Sequence, residues 1–316
     1  MAQEKRVEVT EHEPPVGIAP VSVQFQSTLY QTPVGSLLRS VESLSRAAEL
    51  ASSGPQPLIS RATLALGDAS AEPVLDAADL ARVHDLAGEH MSVSYTFHGA
   101  NVGSARGHNL LGLSSDADFL FLANPDVVVI PRLLSLLLEP MKRPGVGITE
   151  ARQIPLDHPK AYDPLTGQTS WASGACTFVK ARLFRVLDGY DADTFFMYGD
   201  DVDLSWRVRE RGLSIIHQPA AVVFHDRRPN VDGSHTPTAA ERYYSAEAAL
   251  LLAYKWSRPD VVARVSQLFE ESHDAVEGKA LAAFRRRTEE GRLPAPRDPE
   301  HVVGDFVDLH YGAHRY

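Results

Sequence analysis

Between residues 197 and 212 the chain reads MYGDDVDLSWRVRERG, setting Asp200, Asp201 and Asp203 at the front of a helix-like run. If a helix begins near Asp200, that residue can cap the free amides. Asp203 then meets Arg207 at i,i+4 as an exposed ion pair worth a few tenths of a kcal/mol. Asp201 has Ser205 at i+4 and no local cation, so it is the carboxylate without a structural task. Acidic neighbours raise its proton affinity and the helix dipole lowers it, leaving an ionised group basic enough to accept a hydroxyl proton. The bland alternative is that acidic residues simply favour helix starts.

A second candidate is Asp126 in FLFLANPDVVV, directly after a strongly apolar run. A carboxylate at the carboxyl end of a strand can hold a hard divalent cation whose other ligands are diphosphate oxygens and water, although Asn-Pro-Asp is also good turn chemistry. His225, closing PAAVVFH, reads either as a ligand or as a satisfied structural histidine. Arg227 and Arg228 follow it, either as charge-assisted donors to a diphosphate or as a solvated basic turn.

These residues need a frame. VSVQF at 21–25, RATLALGDAS, MSVSYTFHGANVG and DFLFLANPD are strand candidates, each running into Gly, Asn, Asp or Ser, with helix-like segments such as GSLLRSVESLSRAAEL between them. The alternation predicts an α/β chain with a mostly parallel mixed sheet whose ligand lies beyond the carboxyl ends of its strands. After residue 150 the rhythm changes to WASGACTFVKARLF, the aspartate cluster and an expected strand pair around LSIIHQPAAVVFH. Helices follow in ERYYSAEAALLLAYKW and PDVVARVSQLFEESHDAVEGKALAAFRRRTEEG, and the terminal LPAPRDPEHVVGDFVDLHYGAHRY carries no period. The expected divisions are a loose N-terminal tail at 1–20, a catalytic domain at 21–255 and a helical extension and tail at 256–316.

Composition narrows the function classes. The 316 residues are 44% hydrophobic and carry a formal charge of -10, which argues against sequence-independent nucleic-acid binding. The single cysteine, Cys176, cannot pair within the chain, so a reducing, cytoplasmic setting is expected. FLFLANPDVVVIPRLLSLLLEP is apolar enough to suggest a membrane span, yet Asp126 and Arg132 would each cost roughly 2.5–3.5 kcal/mol in hydrocarbon. A strand, turn and helix fit it better.

NVGSARGHN, FLFLANPDVVV, WASGACTFVKARLF, DGYDADTFFMYGDDVDLSWRVRERG and QPAAVVFH, in that order, resemble glycosyltransferase family 2, especially its rhamnosyltransferase-like members, over about residues 21–255. The resemblance implies a GT-A fold, a nucleotide-diphosphate sugar donor, a divalent metal (Mn2+ or Mg2+) and inversion at the anomeric carbon. By position it implies Asp201 as catalytic base and Asp126, with His225, at the metal. Asn101, Gly103, Gly107 and Asn109 match the segment approaching the nucleotide sugar, Gly174 and Ala175 the small-residue wall, and Asp200 the usual glutamate. The first strand departs from the family's Thr-Tyr-Asn, leaving Ser27, Thr28 and Tyr30 as alternatives for the base contact. LGDAS replaces Asp-Asn-Gly-Ser, with Asp68 favoured over a vacancy at Gly67 for base or ribose. The implied donor is dTDP-rhamnose first, then UDP-linked galactofuranose or N-acetylhexosamine. A glycan or lipid-linked acceptor would bring the enzyme to the inner membrane face, and a homo-oligomer is compatible with the sequence. Two other classes stay open: a degenerate glycan- or nucleotide-binding protein, and a dinucleotide oxidoreductase, which lacks its GxGxxG fingerprint here.

Overall fold

The computed structural model describes residues 19–225 and 236–315. Its centre is β1 (Val21–Leu29), which runs four residues past the expected VSVQF because it pairs in parallel with β2 (Ile59–Asp68) out to Leu29 opposite Asp68. β3 (Ser92–Phe97) continues the parallel half beyond β2, and β4 (Phe119–Ala123) flanks β1 on its other side. Both faces of β1 are covered, so its polar residues need partners. Gln24 donates to the Gln26 Oε1, and Gln26 donates to the carbonyl of His108.

The second half is mixed. β8 (Cys176–Lys180) runs antiparallel to β4 and to β6 (Val146–Ile154), and β6 is parallel to β9 (Ser214–His225). β5 (Val127–Val129) closes that edge, and β7 (Gln168–Thr169) pairs with β9 off the main path. The path β3-β2-β1-β4-β8-β6-β9-β5 is the mostly parallel mixed sheet expected. The expected strand pair at LSIIHQPAAVVFH is instead one strand. Its register against β6 jumps from Gln218 to Val222, so Pro219, which cannot donate to a ladder, falls in a bulge.

Helices α1 (Val34–Ser52), α2 (Ala77–Ala87) and α4 (Leu133–Met141) bury Leu37, Val41, Leu44, Val83 and Leu134 on one face of the sheet. On the other, α3 (Ser104–Gly112), α5 (Ala181–Val186) and α6 (Asp200–Glu210) enclose Leu120, Ile148, Phe184, Leu204 and Val208. A further core joins α7 (Ala239–Lys255), α8 (Pro259–Glu271) and α9 (Ala275–Glu289) to Trp171, Trp206 and Trp256. The expected division at residue 255 therefore falls between helices that share one core. The long C-terminal helical run splits because the Asp274 side chain accepts from the amide of Val276 and starts a new helix. A hairpin of β10 (Phe306–Val307) and β11 (His310–Tyr311) ends the chain. Among the described residues no helix is long and apolar enough to cross a membrane.

Candidate active site

A cleft of ≈ 1580 Å³ opens where β1 and β4 end, bounded by α6 and by helices α7 to α9. Of the residues singled out in the sequence, Asn101, Gly103, Asp126, Gly174, Ala175, Asp200, Asp201 and His225 line it. Thr28, in β1, and Tyr30, just past its end, line it, whereas Ser27 is buried and does not. The Thr28 hydroxyl is buried with no hydrogen-bond partner. Arg227 and Arg228 lie outside the described residues.

The wall beside Asp201 is held by three successive amides. Ala172 donates to the Ser205 hydroxyl at 3.0 Å, Ser173 to Glu150 Oε1 at 2.7 Å and Gly174 to Asp201 Oδ2 at 2.9 Å. The Ser205 hydroxyl in turn donates to the Asp201 carbonyl at 2.7 Å. Segment 171–175 is thus fastened to α6 at its second and fourth residues and to β6 at its third. Glu150, buried in β6, also takes a 2.7 Å bond from the Lys160 ammonium and faces His217 Nδ1 at 3.1 Å. Burial alone would push its carboxyl up, but Lys160 and His217 outweigh that and hold it at about 2.

Asp201 is half-buried, with Oδ1 on the Val202 amide and Oδ2 on the Gly174 amide. Two of its four lone-pair positions remain for a substrate hydroxyl. Burial raises its proton affinity, against which the two amides favour the anion. Asp200 is more deeply buried, and desolvation together with the Asp201 charge pushes it up to about 8. Both members of the pair hold protons more tightly than ordinary carboxylates, with Asp200, the more deeply buried, raised further.

Asp203 departs from the exposed ion pair expected of it. It is fully buried and binds Arg207 Nε at 2.7 Å, Lys255 Nζ at 2.7 Å and Trp256 Nε1 at 3.1 Å. Arg207 also donates to the carbonyls of Leu187 and Gly189, and Lys255 to Asp191. Asp203 thus locks α6 to α7 and to the loop before the cleft.

Asp126 and His225 meet through the antiparallel pairing of β5 with β9, which sets Val127 opposite His225. His225 Nε2 lies 3.5 Å from Asp126 Oδ1 and 3.1 Å from the Asn124 side-chain nitrogen. Its Nδ1 faces Gln153 Oε1 at 2.9 Å, which holds the ring in place. With Asp126 29% exposed, a carboxylate oxygen and an imidazole nitrogen share one rim, a donor set that fits a divalent cation completed by ligand oxygens. No cluster of three or more metal-ligating side chains occurs among the described residues.

Three of the expected donor contacts do not reach the cleft wall. Asp68 is fully buried, its carboxylate accepting from the amides of Ser70 and Val74 and from the Tyr95 hydroxyl. Burial would raise it, but these donors hold it below the usual carboxylate range. Its neighbour Ala69 lines the cleft instead. Gly107 is a packing glycine: an added Cβ would sit 2.4 Å from the Thr28 hydroxyl. Asn109 exchanges two 2.8 Å hydrogen bonds with the backbone of Tyr190, stapling α3 to the loop ahead of α6. Gly103, by contrast, has φ +79 and a Cβ there would lie 2.6 Å from the carbonyl of Phe196, so only glycine fits. Asn124, Gln153, Glu150 and Lys160 also hold the site in place; Asn124 belongs to the Asn-Pro-Asp motif, whereas the other three have no local signature in the sequence.

No model of a known protein family matches the chain. It is 34% identical over 65 residues to an N-acetylglucosaminyl-diphospho-decaprenol L-rhamnosyltransferase of Mycobacterium tuberculosis, a stretch covering 21% of each protein. It is 27% identical over 186 residues to a pre-mycofactocin glycosyltransferase of the same organism, covering 53% of this chain and 38% of that one. The matches thus span well under half of these relatives. Among solved structures, GalNAc-T7 with UDP, GalNAc and Mn2+ superposes with a TM-score of 0.60 at 12% identity, over 88% of this chain and 55% of that one. A mannosyltransferase from Pyrobaculum calidifontis with GDP-Man and Mn2+ gives 0.52 at 13% identity, over 87% and 85%. The fold is that of the GT-A glycosyltransferases, and the relatives in sequence are glycosyltransferases, in keeping with the family 2, rhamnosyltransferase-like resemblance of the motifs.

Proposed function

We propose that the chain is an inverting glycosyltransferase that moves a sugar, L-rhamnose from dTDP before any UDP-sugar, to a hydroxyl of a glycan or lipid-linked acceptor. The observation that carries this reading is one cleft lined both by Asp201, oriented by the Gly174 amide, and by the Asp126–His225 pair. The L-rhamnosyltransferase among the relatives supports the sugar, and its diphospho-decaprenol acceptor supports a lipid-linked one. Such an acceptor would be met at a membrane surface.

Asp201 takes the acceptor hydroxyl's proton as that oxygen attacks the anomeric carbon. The carbon–oxygen bond to the diphosphate breaks in line, its electron pair leaving with the nucleoside diphosphate and the configuration inverting. Asp200, protonated beside it, keeps a second negative charge away from the nucleophile. Thr28 and Tyr30 face the nucleoside, and the Gly103 backbone comes close where no side chain fits. Asp126 and His225 would hold Mn2+ in preference to Mg2+, since one donor is an imidazole. Bound there, the cation would offset charge on the departing diphosphate. Arg227 and Arg228, next along the chain, are proposed as further donors to it.

The test is a panel of labelled nucleotide sugars with Mn2+, Mg2+ or chelator, read as transfer or slow hydrolysis. Turnover of dTDP-rhamnose, best with Mn2+, is expected. In metal titrations of donor binding, Asp126→Ala and His225→Ala should each weaken affinity and the double variant should lose less than their sum. A nucleotide sugar that binds tightly but is never consumed would leave a binding protein, and simple additivity would make His225 structural.

A further inference from the structure

The last residues of the chain build part of the cleft. Tyr311 in β11 lines it together with His158 and Trp171, the residue that opens the wall beside Asp201. The Trp171 ring packs edge-on to Tyr311 at 5.3 Å and to His158 at 5.0 Å, and the Lys160 ammonium covers it at 3.9 Å. Trp171 is 3% exposed and Tyr311 36%, so the indole is the backing and the phenol ring is the face offered to a ligand. The tail that carries it is tied down. Ala161 donates to the carbonyl of Ala313 at 2.6 Å and Arg315 to that of Pro159 at 2.7 Å. At Gly312, with φ +99, an added Cβ would lie 2.7 Å from the Ser170 hydroxyl and 3.3 Å from Trp171 Nε1. Only glycine lets the tail lie this close to the segment leading into the wall.

We propose that Tyr311, packed on Trp171 in a cleft that His158 also lines, is a subsite for a pyranose ring of the acceptor. This rests on the transferase reading given above. An aromatic ring exposed in a cleft that a polar imidazole also lines matches a pyranose, which has one face of C–H groups and a rim of hydroxyls. The subsite shares its cleft with Asp201, and Trp171 opens the segment whose Ala172 and Gly174 amides are bonded to α6. The C-terminal tail thereby sets which acceptor ring is accepted.

The test uses the full chain and a panel of methyl pyranosides, methyl N-acetyl-β-D-glucosaminide among them, in saturation-transfer NMR, with dTDP and UDP titrated in parallel. Tyr311→Ala should weaken glycoside binding roughly tenfold, the scale of one aromatic stacking contact. Tyr311→Phe keeps the ring and should bind as the native chain does, and nucleotide affinity should be unchanged in both variants. Equal glycoside binding by Tyr311→Ala, or no saturation of any glycoside by the native chain, overturns the subsite. If glycosides bind through Tyr311 but no nucleotide sugar binds or turns over, the subsite stands and the transferase reading fails.

Discussion

The rim at the end of β2 and the start of α6 each carry a carboxylate, the buried Asp68 and the half-buried Asp201, and the two are finished in opposite ways. Asp68 is surrounded by the Ser70 and Val74 amides and the Tyr95 hydroxyl, which hold it ionised below the usual range while Tyr95 is pushed up to about 12 by burial and by that carboxylate. Asp201 has two amides, an opening to the cleft and a raised proton affinity. A carboxylate whose hydrogen bonds are saturated by its own fold stabilises a loop, whereas one left partly satisfied at an opening can exchange a proton. Within α6 the contrast recurs between Asp203, bonded on all sides, and Asp201 two residues earlier.

The largest effect is expected where saturation is greatest. Asp203→Ala leaves the buried Arg207 guanidinium without its carboxylate and Lys255 with Asp191 alone, which should cost about 3–5 kcal/mol of stability in denaturant unfolding. A loss below about 1 kcal/mol, the range of an exposed pair, would restore the role that helical spacing alone assigns it.

Asp201→Asn should come next, and in a different observable. The amide keeps the size and can still accept from Gly174 but cannot take a proton, so transfer should fall roughly 100-fold or more, about 2.7 kcal/mol at the transition state. Stability and donor affinity should change little. Near-normal transfer by this variant would remove Asp201 as the base and erase the contrast with Asp68.

Asp68→Ala probes the other side. It strands two amides and a phenol, so unfolding should become easier by about 1–3 kcal/mol, with nucleotide affinity affected only through the loop that carries Ala69. A stably folded Asp68→Ala protein that has lost nucleotide binding tenfold would mean that Asp68 reads the donor after all, as its position in LGDAS suggests.

What the sequence conveys follows from the same contrast. Apolar runs reveal β1, β2 and β4 because a strand buried on both faces is legible from its own residues, and the helix start at Asp200 announces itself through its acids. Asp126 and His225 are each readable as ends of apolar strands, but their meeting depends on β5 folding back along β9. Partnership is what local pattern omits. Nothing near Asp68 names Tyr95, nothing near Asn109 names Tyr190, and Glu150 gives no sign of Lys160 or of the Ser173 amide. Tyr311 lies in a stretch without period because its place is fixed by bonds to residues 159–161 and not by a helix or a long strand.

The smallest effect per unit of the variable should come from Asp200→Asn, and its sign separates the two rims. Asp200 is pushed up to about 8 in the folded chain by burial and by Asp201, against an ordinary carboxylate when unfolded, near 3.9. Between those values the folded state keeps a proton that the unfolded state has lost, so stability falls as pH rises through that window. The contribution is fully present below the unfolded value and gone above about 8. One such proton sets a slope of at most about 1.4 kcal/mol per pH unit. Asn cannot titrate, so thermal midpoints of Asp200→Asn measured from pH 5 to 9 should decline less steeply than those of the native chain, with the gap in its favour widest at the alkaline end. Some slope should persist because Asp201 is raised as well. Asp68, lowered in the fold, acts with the opposite sign: its stabilisation is lost as pH falls below the carboxylate range, and Asp68→Ala should flatten only the acid limb. Parallel curves for the native chain and Asp200→Asn between pH 5 and 8 would mean that Asp200 is already ionised at neutrality and does not hold the pair's proton.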